Sequence, residues 1–208
     1  MAGFSRSLDS ELRVSVAAFV LALAAAVGCQ RSQTPAGTSE VQPTYNKDSG
    51  RLERISYDRN RDSRLDAWLV MDGTRVVRAE LDEDFDGAVD RWEYYGDQAV
   101  PAAAAPIDGL APRGALVRAE QATRGDGKIN RRESYVNGQL STVEEDTTGD
   151  GKVDKWETWS GGALQVMALD TKGTGKPDRR LVYPGDGSSP RLEVDEAGTG
   201  AFVAASGS

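Results

Sequence analysis

The 208-residue chain contains no histidine and a single cysteine, Cys29. Missing histidine removes the side chain that most often serves as a general base or metal ligand near neutral pH. One cysteine excludes an internal disulfide staple. The sequence also lacks a G-x-S-x-G elbow and a phosphate-cradling glycine loop, so nucleophilic and phosphoryl-transfer enzymes find no machinery here. Positive charge is in deficit. Lys and Arg number 25 against 33 Asp and Glu, giving a net charge of −8 and a sequence pI of about 4.7. That balance argues against nucleic-acid binding. Aromatic residues make up 7% and hydrophobic residues 38%, which is thin for a core. The apolar run Val14–Gly28 is 15 residues long, short of the roughly 20 that span a bilayer as a helix.

What the chain has is an acidic phrase that returns. Five copies begin at Asp58, Asp82, Ala122, Asp146 and Asp170, and the steps are 24, 40, 24 and 24 residues. The step of 40 is one period plus a 16-residue insertion, a register fixed by Val77-Arg78-Ala79-Glu80 and Val117-Arg118-Ala119-Glu120. A sixth, decayed copy starts at Asp195. Each unit is too small to bury a core of its own, so neighbouring units must stack.

Aligned columns show what joins the acidic loops. Leu65, Val89, Ile129 and Val153 follow the loop glycine position by two, and Pro177 takes that place in the fifth copy. Then come Trp68, Trp92 and Trp156, with Arg132 and Arg180 in the remaining copies. Turn dipeptides follow: Asp72-Gly73, Gly96-Asp97, Asn137-Gly138, Gly161-Gly162 and the run Pro184-Gly185-Asp186-Gly187. Such dipeptides between apolar runs mark β-hairpins. Each unit reads as loop, strand, tight turn, strand. The expected fold is all-β: an antiparallel meander of about five 24-residue hairpin repeats, roughly ten short strands, over 51–200. The Trp column fits cross-strand packing; a stacking platform for sugar rings or a partner peptide is the alternative use.

The loops themselves point to a hard cation. Asp82, Asp84, Asp86, Gly87, Val89 and Glu93 fall at positions 1, 3, 5, 6, 8 and 12 of a twelve-residue pattern. Asp146, Thr148, Asp150, Gly151, Val153 and Glu157 fall at the same positions. This resembles the EF-hand calcium loop, in which oxygen ligands surround a glycine turn. It is also similar to the D-x-[DN]-x-D-G-x-x-D calcium loops of integrin α-chain repeats, where the ninth residue is a ligand. Twelve residues remain per unit outside the loop, with a turn at their middle, and two three-turn helices need about 22. Paired helical hands, and with them a helical calcium-responsive protein, are therefore not expected.

The EF-hand resemblance implies Glu93 and Glu157 as closing ligands; the integrin resemblance implies Asp90 and Asp154. On a strand, positions 9 and 12 point to opposite faces, so one ion cannot take both. Position 9 is expected to bind, leaving the position-12 glutamates mostly at the surface. The loop at Asp82 offers Asp82, Asp84, Asp86, Asp90 and the Ala88 carbonyl. The loop at Asp146 offers Asp146, Thr148, Asp150 and Asp154, with Lys152 at the carbonyl position. The loop at Asp58 offers Asp58, Asn60, Asp62 and Asp66, weakened by Ser63 in place of glycine and by Arg59, Arg61 and Arg64. Ala122 and Arg124 in the third copy, and Lys172 and Thr174 in the fifth, replace ligands, so these read as metal-free turns. Calcium is the expected cofactor, and it would stabilise a thin core.

The N-terminus reads as a leader. Val14–Gly28 suits a secretory h-region, and Ala26-Val27-Gly28-Cys29 resembles the lipobox of bacterial lipoproteins. That resemblance implies a signal peptide over 1–28, a lipid on Cys29 and a membrane-anchored place in the cell envelope; Gln30 after the cysteine implies the outer membrane if the cell has one. Residues 29–50, rich in Ser, Thr, Pro, Gln and Gly, read as a flexible tether. Residues 99–114 read as a mobile insertion and 201–208 as a disordered tail. The function expected is a calcium-binding, lipid-anchored, non-enzymatic module with a structural or ligand-binding role. Its partner would be a protein or a glycan; the alternatives are a metal-independent adhesion or glycan-binding module using the Trp column and, against the residue count per unit, a calcium-responsive protein with helical EF-hands.

Overall fold

The computed structural model describes residues 41–97 and 114–205. The leader, Cys29, most of the tether and nearly all of the insertion lie outside the described residues. All described strands belong to one unit, 37–208. Among the described residues there is no helix, and so none long and apolar enough to cross a membrane.

The described residues form one antiparallel sheet of 13 strands paired in sequence order. The order is linear: β1 pairs with β2, and β13 with β12. β2 (Leu52–Tyr57), β3 (Ala67–Asp72), β4 (Arg75–Leu81), β5 (Arg91–Tyr95) and β6 (Leu116–Gln121) are followed by β7 (Arg131–Val136) and β8 (Gln139–Glu145). β9 (Lys155–Ser160), β10 (Ala163–Leu169), β11 (Arg179–Val182), β12 (Arg191–Val194) and β13 (Val203–Ala204) complete it. Strands, not helices, bracket Asp82–Glu93 and Asp146–Glu157, as the twelve-residue remainder requires. Two short strands lie in segments read from sequence as tether and tail. β1 (Gln42–Tyr45) pairs with β2, and its turn is held by Asn46 Oδ1, which accepts the amides of Asp48 and Ser49. β13 pairs with β12.

Connections in a meander alternate between the two ends of the sheet, which places all six acidic loops at one end and the short turns at the other. Successive acidic loops are two strands apart, or about 9.6 Å. In the turns, Asn137-Gly138 (φ 52° and 73°) and Gly161-Gly162 (φ 58° and 78°) show the two positive φ values that a type I′ turn needs. The β3–β4 loop is Gly73-Thr74, since Asp72 pairs with Arg75, and only Gly73 has positive φ. Each long hairpin also carries a register shift at the same place, as between Val70 and Met71 and between Ser134 and Tyr135. Such bulges increase local twist.

The sheet's two faces differ. One packed face carries Tyr57, Ala67, Leu69, Val76, Ala79 and Leu81, with Ile55, Met71 and Tyr95 against them. Farther along, that face turns polar. Cross-strand pairing sets Glu93, Ala119, Glu133, Val143 and Glu157 in one row. Ala119 and Val143 are essentially fully buried, and Glu133 and Glu157 are only 7% and 8% exposed. The position-12 glutamates therefore do not sit at the surface, contrary to the expectation. The reason is local neutralisation. Arg91, Arg131 and Lys155 stand two residues before them on the same face, and Tyr95, Tyr135 and Trp159 stand two residues after.

Arg91 Nε donates to Glu93 at 2.7 Å, and its Nη2 reaches past β6 to Glu133 at 3.2 Å. Arg131 bonds Glu133 at 2.9 Å and Glu145 at 3.1 Å. Lys155 bonds Glu145 at 3.2 Å and pairs with Glu157 at 2.8 Å. The hydroxyls of Tyr95 and Tyr135 and the Trp159 indole N–H donate to Glu93, Glu133 and Glu157. Charged groups this deep persist only when paired and hydrogen-bonded. The three triads do for the middle repeats what Ala67, Leu69 and Met71 do for the first.

The opposite face holds Trp68, Trp92 and Trp156, all half-buried. Their cross-strand neighbours include Glu80, Glu120 and Glu144. Arg54 lies over the Trp68 ring at 5.7 Å and bonds Glu80 at 2.9 Å, an arrangement of packing across strands.

Candidate metal centre

All six acidic loops share one backbone. Position 4 has positive φ in every copy: Arg61, Phe85, Gly125, Gly149, Gly173 and Gly198. Position 6 does too: Ser63, Gly87, Gly127, Gly151, Gly175 and Gly200. Ser63 and Phe85 adopt a conformation that ordinarily falls to glycine, so the loop geometry is imposed by the repeat and survives loss of the preferred residue.

Two carboxylates shape the loops at Asp58, Asp82, Asp146 and Asp170 from within. Position 1 accepts the N–H of position 6: Gly87 to Asp82 at 2.8 Å, Gly151 to Asp146 at 2.8 Å and Ser63 to Asp58 at 2.7 Å. Position 9 accepts the N–H of position 2: Glu83 to Asp90 at 3.0 Å, Thr147 to Asp154 at 3.0 Å and Arg59 to Asp66 at 2.8 Å. Asn130 serves Thr123 in the third copy at 2.7 Å. Main-chain bonds link one loop to the next. The amides of Asp82, Ala122, Asp146, Asp170 and Asp195 donate to the carbonyls of Asp66, Asp90, Asn130, Asp154 and Asp178. The loop edge is thus a continuation of the sheet ladder.

The remaining acids face solvent. Asp82, Asp84 and Asp86, at positions 1, 3 and 5, bring one carboxylate oxygen each within 4.8 Å of one another. Asp82 is buried at the base, and the other two are exposed. This triplet could hold a metal ion, and its all-oxygen donor set suits a hard cation. Partial desolvation and the nearby charges of Asp90, Asp86 and Asp82 push the Asp84 carboxyl above its ordinary value. A cation at the triplet would relieve that repulsion.

The other expected ligands are placed as follows. Asp90 turns toward the amides of Glu83 and Asp84 and stands outside the triplet. The amides of Ala88 and Lys152 donate to Asp86 and Asp150 at 2.8 and 2.9 Å. Glu93 and Glu157 are committed to the packed face. In the first loop Asn60 Nδ2 donates to Asp62 Oδ2 at 3.2 Å, and Asp58 and Asp66 serve backbone amides. In the fourth loop the Thr148 hydroxyl lies 3.4 Å from Asp146 Oδ1. Burial there would raise the Asp146 carboxyl. The amides of Gly149 and Gly151 and the Arg124 guanidinium outweigh it and hold Asp146 low. The sequence reads Arg124 only as a lost ligand of its own loop, because its partner lies in a different one.

No protein-family model matches the chain, and no curated protein matches it. A solved structure of accessory secretory protein 1, 2 and 3 in Streptococcus pneumoniae aligns over 64% of this chain and 19% of that one, at 10% identity and a TM-score of 0.28. A likeness that faint carries no argument about fold or function.

Proposed function

We propose that this protein is a calcium-binding, non-enzymatic β-repeat module, held to the cell envelope by a lipid on Cys29, with a structural or ligand-binding role. The observation that carries the reading is the convergence of Asp82, Asp84 and Asp86 on a loop whose backbone is fixed by the repeat. Position 1 shapes the loop and offers an oxygen, while positions 3 and 5 supply charge from the solvent side. Calcium tolerates such mixed, partly hydrated shells, and extracellular modules bind it at about 10⁻⁴–10⁻³ M. A single site at tenfold excess over its Kd adds about 1.4 kcal/mol of stability.

The test is thermal melting of the full chain with millimolar calcium and with chelator, alongside Asp84→Asn. Calcium should raise the wild-type midpoint, and the variant should lose most of that rise. A wild-type midpoint indifferent to calcium would end the proposal.

A further inference from the structure

Three of the six acidic loops carry an Asp-Gly step at positions 5 and 6: Asp86-Gly87, Asp126-Gly127 and Asp150-Gly151. In such a step the glycine nitrogen can attack the carboxyl carbon of the aspartate side chain, because glycine has no Cβ to hinder the approach. In two of the three loops that nitrogen is held. The Gly87 N–H donates to Asp82 Oδ2 and the Gly151 N–H to Asp146 Oδ2, both at 2.8 Å. A carboxylate at the hydrogen opposes loss of the proton, since the nitrogen anion would face a like charge. The bond also fixes the peptide plane that must turn toward Cγ.

The third loop lacks this restraint. Its position 1 is Ala122, only 2% exposed and without an acceptor. The Gly127 amide has no hydrogen-bond partner among the described residues. An added Cβ at Gly127 would meet nothing within 4 Å, and Asp126 and Gly127 both face solvent. The rest of the step matches its relatives. Position 6 has φ 97°, 68° and 86° in the three loops. The position-5 carboxylate accepts the amides of Ala88, Lys128 and Lys152 at 2.8, 3.0 and 2.9 Å. The difference lies at the attacking nitrogen. The other described Asp-Gly steps, Asp72-Gly73 and Asp186-Gly187, lie in turns at the opposite end of the sheet, where no loop position 1 exists.

We propose that Asp126 is a site of spontaneous isoaspartate formation, and that the position-1 carboxylate protects Asp86 and Asp150 from the same reaction. The Gly127 nitrogen gives its proton to solvent and bonds to Asp126 Cγ. One Cγ–O bond breaks, and that oxygen, protonated by solvent, leaves as water. Water then opens the succinimide ring. Where it adds to the Asp126 main-chain carbonyl, the nitrogen stays on Cγ and the chain runs on through the side chain. The sum is an isomerisation, with water released and taken up again. The product places an extra backbone carbon between Gly125 and Gly127, the two positive-φ positions of the loop. A hydrogen bond to a charged group, where the reaction must break it, slows the step by about tenfold or more.

The experiment ages the full chain at physiological temperature, folded and in urea, with chelator present so that no metal shields a loop. Peptide mapping with electron-transfer fragmentation then separates isoaspartate from aspartate. In urea the three steps should convert at similar rates. In the folded chain Asp126 should convert about tenfold or more faster than Asp86 and Asp150. Ala122→Asp restores the acceptor at a position that holds a buried aspartate in other loops, and should slow Asp126 to the rate of its relatives. Asp82→Ala should release Asp86. Circular dichroism verifies the sheet in both variants, and the wild-type comparison decides the matter if either fails to fold. If folded wild type converts Asp126 no faster than Asp86 and Asp150, or if a folded Ala122→Asp leaves Asp126 as fast as before, this inference is overturned.

Discussion

Glutamate 133 offers the sharpest test of how the packed face holds together. Its carboxylate accepts from Arg131 Nε at 2.9 Å, Arg91 Nη2 at 3.2 Å and the Tyr135 hydroxyl at 2.7 Å. The side chains of Arg91 and Arg131 are themselves only 13% and 20% exposed. Glu133→Ala removes the acceptor that these two guanidiniums share. Breaking a buried ion pair costs about 3–5 kcal/mol when one partner is left uncompensated. Arg91 keeps Glu93 and Arg131 keeps Glu145, which puts the cost near the lower bound, about 3 kcal/mol. For a domain of this length that corresponds to a fall in Tm of about 6–12 °C, read by far-UV circular dichroism. Glu144→Ala, on β8 but exposed, is the control and should stay within about 0.5 kcal/mol of wild type. A Glu133→Ala midpoint within about 2 °C of wild type would show that the charge row contributes nothing net.

The same row sets the pH limits of stability. Burial opposes ionisation of Glu133, but the Tyr135 hydroxyl and the Arg131 and Arg91 guanidiniums outweigh it and hold its pKa below 4.5; Lys155 and the Trp159 indole do likewise for Glu157. A depressed folded pKa contributes stability that is complete above the unfolded value and lost as pH falls toward the folded one. Urea midpoints should therefore fall once the pH drops below 4.5, and an acid limb unchanged in Glu133→Gln would contradict the assignment. On the alkaline side, burial and Glu133 push the Tyr135 hydroxyl up from 10.0 to about 12. Its contribution is present below pH 10.0 and disappears as the pH rises toward 12, which Tyr135→Phe should remove from the urea profile. At the turn end, Gly138 has φ 73° and open space around it. Gly138→Ala should thus cost about 1–2 kcal/mol through backbone strain alone, and an unchanged melt would mean the turn is not held in that conformation.

The architecture was legible because two periods coincide. Twenty-four residues per unit, with Asn137-Gly138 or Gly161-Gly162 at the middle of what the loop leaves over, admit a hairpin and no helix pair. The Asp82–Asp84–Asp86 spacing likewise announced its own convergence, since a glycine turn folds positions 1, 3 and 5 onto one side.

Features set by neighbouring units were not legible in the same way. Glu93, Glu133 and Glu157 looked like surface residues because acidic side chains usually are. Their burial depends on Arg91, Arg131 and Lys155 two residues earlier and on an aromatic residue two residues later. That R/K-x-E-x-Y/W phrase is visible in the sequence once the period-2 face is read column by column. Asp90 and Asp154 were assigned to metal on analogy, while in the fold their carboxylates accept the amides of positions 2 and 3. Arg124 and Lys172 looked like simple loss of ligands, because no spacing within one unit shows that they cross to the next. β1 escaped notice since four exposed residues with a proline carry almost no strand pattern.

Calcium titration of the isotopically labelled protein, followed through its backbone amide NMR signals, addresses the central claim directly. The account predicts saturable shifts at Asp86 and Gly87, whose amides rest on Asp82 and Asp84. Amides at Asp86 and Gly87 that do not respond to millimolar calcium would contradict it.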